Sequence, residues 1–262
     1  MKRGIAALLI VAAAGGCGNA DDRVVVAAGT TVVDTGFLAR VFDGYPGDEQ
    51  FSIVGVSSLE ALSLGSAGSA QLLITHLPQA EEDFLAEHPG AEQSPIFSSE
   101  FVLAGPADAT LDTSDVVEAF RLIAAEGRPF VARSDGSGTA AREREIWSLA
   151  GIDPRGQAWY IETGQGMGFT LQVADQRDAF TLAEIGSLLA AGSLSLAPVI
   201  YGAGDERLVN PYRVTLMEGA SDEARGLFDW LLGIDASVVM VDANFELFGQ
   251  VVYFPTSPLI QT

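Results

Sequence analysis

Short apolar segments alternate along this chain with segments in which apolar residues recur at helical spacing. We predict strands at 24–28, 51–56, 71–76, 101–104, 130–133, 198–201 and 213–217. We predict helices at 36–42, 59–64, 80–87, 115–126, 140–150 and 222–232. Strands that alternate with helices in this way are typical of an α/β fold with crossover connections.

The first residues have a different pattern, which is typical of an export signal. Lys2 and Arg3 precede an apolar run of about ten residues, and small residues follow it. A run of that length cannot span a bilayer core of ~30 Å, so we expect a secretory signal that is removed rather than a membrane helix.

Cys17 is the only cysteine, so an internal disulfide is excluded. It lies where a bacterial lipoprotein signal places the residue that becomes lipidated. We therefore predict a signal peptide at 1–16, a tether at 17–23, and a lipoprotein anchored to the membrane in the periplasm or at the outer cell surface. Ala14 stands where such signals usually carry leucine, so a plain secretory signal is the alternative.

Composition indicates a folded protein that does not bind nucleic acid. Of 262 residues, 48% are hydrophobic, which suffices for a large core. The chain has 14 basic and 35 acidic residues, and removal of Lys2 and Arg3 with the leader brings the net charge to about −23. Nucleic-acid partners are excluded because their binding depends on cations that neutralise phosphate. A solvated acidic surface explains the charge.

Hydroxyl-rich segments mark three junctions between a strand and the next helix. These junctions are at residues 29–31, 57–58 and 134–139. The first N–H groups of a helix lack internal partners and carry partial positive charge, so they stabilise an anion without a basic side chain. Ordinary helix capping is the alternative, and Ser57 with Glu60 has the spacing of a capping box. Since open α/β sheets bind ligands at strand ends, the three junctions together predict an anion site.

Arg133 is the candidate cation of that site, because it ends an apolar strand directly before a glycine-rich loop. A chain this acidic does not attract anions over long distances. Binding therefore has to come from close, charge-assisted hydrogen bonds. A surface ion pair with Asp135 or Glu143 is the alternative role for Arg133.

Other candidate chemistries lack a second essential group. Asp34 begins an Asp-Thr-Gly triplet like that of an aspartic protease, but such a site needs two carboxylates and the chain has no second triplet. We interpret Asp34 as a helix cap and Gly36 as the residue that eases the turn. His76 and His88 lie too far apart for a metal pattern, and His76 is interpreted as a satisfied strand-end histidine. The glycines of 164–168 lack a dinucleotide fingerprint and are interpreted as a tight, close-approach backbone, so we expect no cofactor and no catalysis.

Several segments, in order, resemble the tungstate-binding proteins of bacterial ABC uptake systems. They are GTTVVDTGF at 29–37, FVARSDGSGT at 130–139, AGI at 150–152, WY at 159–160, GQGMGFTL at 164–171, NPY at 210–212 and FDWL at 228–231. The resemblance implies a two-lobed periplasmic-binding-protein fold of type II with two chain crossovers. Lobe 1 would comprise 24–104 and 200–262, and lobe 2 would comprise 105–199.

The resemblance also implies a tetrahedral oxyanion, tungstate, that is held between the lobes and delivered to a membrane permease. The implied ligand-binding residues are Thr30, Thr31, Ser58, Arg133, Ser137, Gly138 and Thr139. Molybdate, phosphate or a small organic anion is the alternative ligand, and a hydrolase is a remote alternative. Several segments depart from the family pattern: 57–59 replaces Gly-Thr-Gly, 68–71 replaces Gly-Asp-Ala-Asp, and Ala140 replaces a histidine. At 59, leucine stands where a glycine would let a backbone amide approach the ligand.

Overall fold

The computed structural model describes residues 23–202 and 204–257, so Cys17, the predicted signal peptide and most of the tether lie outside the described residues. The strands are β1 (Val24–Gly29), β2 (Phe51–Val56), β3 (Leu72–Thr75), β4 (Glu92–Pro106), β5 (Phe130–Ala132), β6 (Tyr160–Glu162), β7 (Thr181–Glu184), β8 (Leu196–Ile200), β9 (Val209–Leu216) and β10 (Phe254–Pro255). The helices are α1 (Thr30–Asp34), α2 (Phe37–Phe42), α3 (Ser58–Ser66), α4 (Pro78–Glu87), α5 (Val116–Glu126), α6 (Gly138–Ala150), α7 (Met167–Gln176), α8 (Ile185–Ala190), α9 (Asp222–Leu231) and α10 (Ile234–Phe248).

Each predicted strand and helix is present, with its ends shifted by a few residues except at 101–104, which is only part of β4. The sequence patterns did not predict β6, β7, β10, α1, α7, α8 or α10. Within the described ranges, no helix has the length and apolar character needed to cross a membrane.

The long strand β4 joins two parts of the sheet. Up to Glu100 it pairs with β9, and the sheet continues from β9 through β3 and β1 to β2. From Phe101 onward it pairs with β7 and β8. We call the part built on β1, β2, β3, β9 and β10 lobe 1, and the part built on β5 to β8 lobe 2. The residue boundaries expected from the sequence stay a prediction.

Each lobe has its own apolar core. In lobe 1, Phe37 stacks on Tyr253 with ring centroids 4.2 Å apart. In lobe 2, Trp147 packs against Phe120 at 4.4 Å and against Phe130 at 5.2 Å. These rings belong to separate clusters of buried side chains, so each lobe is stabilised from within.

The structure gives Asp34 a different role from the one predicted. Asp34 is the last residue of α1 and is exposed, and Gly36 is the N-cap of α2 without a side-chain hydrogen bond. Thr35 makes the local contacts instead, since its Oγ1 donates to the carbonyl of Val32 at 3.0 Å. Asp34 therefore does not cap a helix. Gly36 has φ 77°, so its predicted part in the turn is confirmed.

The glycine-rich segment 164–168 makes a turn but no close backbone contact. Gly164 has φ 61°, which favours glycine. Gly166 is the N-cap of α7, and a Cβ atom added at Gly166 or Gly168 would meet nothing within 4 Å. The close-approach interpretation is therefore wrong for these two residues.

Candidate functional site

The three hydroxyl-rich junctions lie at the carboxyl ends of β1, β2 and β5, as the sequence predicted. β1 and β2 are parallel and end level with each other, because Gly29 pairs with Val56. Their junctions lead into α1 and α3 on lobe 1, and the junction after β5 leads into α6 on lobe 2. Helix starts from both lobes are thus candidates for one site.

At two of the junctions, one serine is the N-cap of the following helix. Ser57 is the N-cap of α3, and its Oγ accepts a hydrogen bond from the Glu60 amide at 3.2 Å. Ser137 is the N-cap of α6, and its Oγ accepts from the Ala140 amide at 3.2 Å and donates to Asp135. The Ser137 amide also donates to Asp135, at 3.1 Å. The hydroxyl and the amide of Ser137 are therefore engaged locally, and its ligand contact stays a prediction.

The neighbouring hydroxyls are buried but are not used in capping. Ser58 and Thr139 both have 0% exposure. Six buried side-chain atoms of the described residues have no hydrogen-bond partner, and three of them, Ser58 Oγ, Thr139 Oγ1 and Arg133 Nη1, lie in or directly before these junctions. Leaving a buried polar group unpaired costs ~1 to 3 kcal/mol, so three such groups are a strong indication of a polar ligand.

Arg133 is almost fully buried, with 2% of its side chain exposed. Its Nη2 and Nε donate to Asp135 Oδ2 at 2.6 and 3.1 Å, and Nη2 also lies 3.4 Å from Thr30 Oγ1. The ion pair with Asp135 therefore exists but is not on the surface. The Glu143 carboxylate instead accepts from Trp147 and Tyr160, which excludes it as the partner.

Contacts between the lobes bring the three junctions together. Arg133, which follows β5, reaches Thr30 at the start of α1. A Cβ atom added to Gly136 would lie 3.4 Å from Ser57 Oγ and 3.3 Å from Leu59 Cδ1, so the loop before α6 lies against the start of α3. The unpartnered donors thus belong to segments that meet at the cleft between the lobes.

Thr31 turns its side chain away from these donors. Its Oγ1 bonds to the Tyr212 hydroxyl at 3.0 Å, and that hydroxyl donates to Glu184 Oε1 at 3.0 Å. Burial raises the pKa of Glu184 above its ordinary value. The Thr31 hydroxyl therefore anchors α1 to this polar cluster, and a ligand contact from Thr31 would have to come from its backbone.

His76 belongs to the same cluster, and its interpretation as a satisfied strand-end histidine is confirmed. Its Nδ1 lies 2.8 Å from Asn210 Oδ1, and the Asn210 side-chain amide donates to Ser99 Oγ at 3.1 Å and to Glu184 Oε1 at 3.3 Å. Burial lowers the pKa of His76 to about 4, so the imidazole is neutral at neutral pH. The 23–202 and 204–257 segments contain no group of three side chains that could hold a metal ion.

Gly138 of lobe 2 lies close to His76 of lobe 1. A Cβ atom added there would lie 2.5 Å from His76 Nδ1 and would also overlap the His76 carbonyl oxygen. Only glycine fits this contact without a shift of the backbone. The structure thus gives Gly138 a role in the fit of the two lobes, while its ligand contact stays a prediction.

Cavity size alone does not identify the site. A cavity of about 570 Å³ lies elsewhere on lobe 2, where Arg144, Trp147 and Tyr160 form part of its wall. None of the three unpartnered donors lines it. The distribution of buried donors is therefore more informative than volume.

Sequence reasoning missed the Glu184 cluster. Asn210 and Tyr212 were noticed only as parts of a motif, and Glu184 ends a strand that was not predicted. Polar residues beside apolar strand positions could have indicated a buried polar cluster. Their hydrogen-bond partners, however, lie as far as 181 residues away in the chain, so the sequence does not identify them.

Comparisons with known proteins show which family this chain is similar to. The family model of the PBP superfamily domain matches residues 14–234. The tungstate-binding protein TupA of Peptoclostridium acidaminophilum is 29% identical over 252 residues, which cover 91% of this chain and 87% of that protein.

Two solved structures are also similar. The tungstate ABC transporter structure from Geobacter sulfurreducens has a TM-score of 0.74 and 28% identity, with 86% of this chain and all of that chain covered. The tungstate-binding protein TupA from Desulfovibrio alaskensis G20 has a TM-score of 0.74 and 25% identity, with 90% and 99% covered.

Proposed function

This chain belongs to the PBP superfamily, and on that premise we propose that it is the substrate-binding component of an ABC importer that holds tungstate between its two lobes. The family and the two-lobed type II fold predicted from the sequence are confirmed. The ligand is supported by the names of the similar proteins, which are tungstate-binding proteins or a tungstate transporter. Those names describe binding proteins, which supports a role without catalysis.

The observation that carries the proposal is the set of three buried, unpartnered donors, Ser58 Oγ, Arg133 Nη1 and Thr139 Oγ1. Two come from lobe 2 and one from lobe 1, so a ligand that accepts hydrogen bonds from all three would hold the lobes together. The seven ligand-binding residues implied by the sequence remain the proposed set, and we place Ser58, Arg133 and Thr139 first among them.

The donors fit an anion that only accepts hydrogen bonds. Tungstate and molybdate are unprotonated dianions at neutral pH, whereas phosphate carries protons and needs an acceptor. Asp135 is the carboxylate of the cluster, and its two oxygens already accept from Arg133 and Ser137. Sulfate accepts hydrogen bonds too, but its shorter bonds would leave donors stretched in a site of tungstate size, and weakly satisfied buried donors cost ~1 to 3 kcal/mol each.

A thermal-shift series tests the ligand. Ligand at a thousand times its dissociation constant stabilises the folded state by about 4 kcal/mol, which corresponds to a rise in Tm of roughly 10 °C for a chain of this size. We expect that shift with tungstate, an equal or smaller shift with molybdate, and little with sulfate or phosphate. No shift with any of the four anions, for protein shown to be folded and ligand-free, would exclude an oxyanion site and leave a small organic anion as the alternative.

We propose further that the protein is exported and anchored by lipid at Cys17, so that it can deliver its ligand to a permease in the membrane. The support is the order of leader, small residues and cysteine in the sequence. A single acyl chain binds membranes only marginally, so the anchor needs a diacyl group. Cys17→Ser should move the protein from the membrane fraction to the soluble fraction, and equal partitioning of the two forms would refute the anchor.

A further inference from the structure

We infer that Leu59 is a positioning residue that slows release of the bound oxyanion by packing against Gly136 across the cleft. The inference rests on the proposed function. It assigns a role in residence time to a residue that does not belong to the polar site.

The contact joins the two lobes beside the buried donors. Leu59 is the second residue of α3, directly after the fully buried Ser58. Its Cδ1 lies 3.3 Å, and its Cβ 3.7 Å, from the position of a Cβ atom added to Gly136. Gly136 belongs to the loop that carries Arg133 and Asp135, so Leu59 touches the segment that positions the cation.

Exposure places Leu59 at the rim of the site. Ser58 has 0% exposure, whereas Leu59 has 47%. The side chain therefore lies at the boundary between the buried donors and solvent, with part of its surface against the loop of lobe 2. An apolar group in that position excludes water from one side of the cleft while the lobes are together.

Separation of the lobes breaks this contact, because its two residues belong to different lobes. A bound ligand can leave only when the lobes part, so the contact stabilises the state that retains the ligand. The open conformation, which admits the ligand, does not contain this contact. Removing the leucine side chain should therefore raise the release rate and leave the association rate unchanged.

The expected effect follows from the apolar surface that the contact covers. About half of the Leu59 side chain is covered by the two lobes together, so Leu59→Ala should release tungstate faster, by up to roughly 10-fold. The rate is measured by stopped-flow mixing of tungstate-loaded protein with excess catechol, which captures free tungstate. Leu149→Ala is the matched control, because Leu149 is 50% exposed on α6 and should not alter release.

Gly136 offers the test from the opposite lobe. Its φ is not positive, so its backbone accepts a side chain. Gly136→Val should press against Leu59 and increase the release rate as well. If the two residues act through one contact, Gly136→Val should increase the release rate less in a Leu59→Ala background than in wild type. A structural defect caused by either substitution alone would give additive effects instead.

The outcomes separate this inference from the proposed function. If wild-type protein binds neither tungstate nor molybdate, the proposed function fails and the inference fails with it. If wild type binds tungstate and Leu59→Ala releases it at the rate of Leu149→Ala, the function stands and the inference is wrong. A change confined to the association rate, or additive effects of the Leu59 and Gly136 variants, would also overturn it.

Discussion

Replacing Arg133 with alanine is expected to weaken tungstate binding by roughly 30-fold or more. The guanidinium has two functions in the structure. Its Nη1 is a buried donor without a partner, and its Nε and Nη2 neutralise Asp135. The substitution therefore removes a hydrogen bond to the ligand and leaves a carboxylate unpaired beside a dianion.

The magnitude follows from these two losses. A hydrogen bond from a charged donor is worth ~1.5 to 3 kcal/mol, and removal of one member of a buried charge pair costs ~2 to 5 kcal/mol in total. The two estimates overlap, so they are not added. A loss of ~2 kcal/mol already corresponds to a factor of about 30 in Kd.

A second variant separates the two losses. In Arg133→Ala with Asp135→Asn, the unpaired charge is absent, and affinity should recover in part but should stay below wild type because Nη1 is still missing. Full recovery would assign the whole effect to Asp135. No recovery would show that the carboxylate is well screened by the Ser137 amide and hydroxyl, which both donate to it.

Isothermal titration calorimetry at fixed salt and pH is the assay, with Tm as the check on folding. Arg155→Ala is the control, since the Arg155 side chain is 76% exposed and pairs with Asp153 at 2.7 Å. We expect wild-type affinity for that variant. The reasoning is refuted if folded Arg133→Ala binds tungstate as tightly as wild type.

Two further predictions follow from single contacts. Gly138→Ala should weaken tungstate binding by roughly 5- to 100-fold, because overpacking of the His76 contact costs ~1 to 3 kcal/mol. Gly168→Ala is the control, and the affinities are measured by calorimetry. Equal tungstate affinities of the two variants would contradict the steric argument. Burial raises the pKa of Glu143 from 4.5 to about 7, so the folded protein holds an extra proton between these values and its stability falls as the pH rises through that window. Glu143→Gln keeps an acceptor for Tyr160 and should remove this fall in stability. At pH 8 the Tm of the variant should exceed that of wild type by roughly 5 °C. If the Tm of both proteins changes with pH in the same way, the prediction is wrong.

The order of elements could be predicted because it depends on local patterns. Apolar runs identified four of the five strands assigned to lobe 1 and two of the four assigned to lobe 2. The missed helix α10 shows how a local pattern can be misread: Val238, Val239 and Val241 lower its intrinsic preference for helix, yet Ala236, Met240 and Ala243 form a buried face at helical spacing. A count of that spacing would have found the helix.

The sequence predicted the segments of the candidate site, but not the hydrogen-bond partner of each hydroxyl in them. At 57–58 the spacing from Ser57 to Glu60 indicates which serine caps the helix, whereas at 134–139 no such spacing distinguishes Ser137 from Thr139. Ser57 and Ser137 cap their helices, while Ser58 and Thr139 remain unpaired. The choice depends on the backbone angles at the helix start and on the packing of the other lobe, neither of which is a local property of the sequence.

The local charges at the cleft and the net charge of the whole protein have opposite effects on the binding of an anion. Arg133 and Asp135 form a neutral pair, so the proposed anion would be held at the cleft by short hydrogen bonds rather than by net charge. The acidic surface repels a dianion at longer range and lowers its association rate. High affinity in such a protein therefore has to come from slow release, because association offers no electrostatic advantage. Contacts that hold the lobes together, such as those of Gly138 with His76 and of Gly136 with Leu59, would then add to the affinity supplied by the groups that touch the ligand.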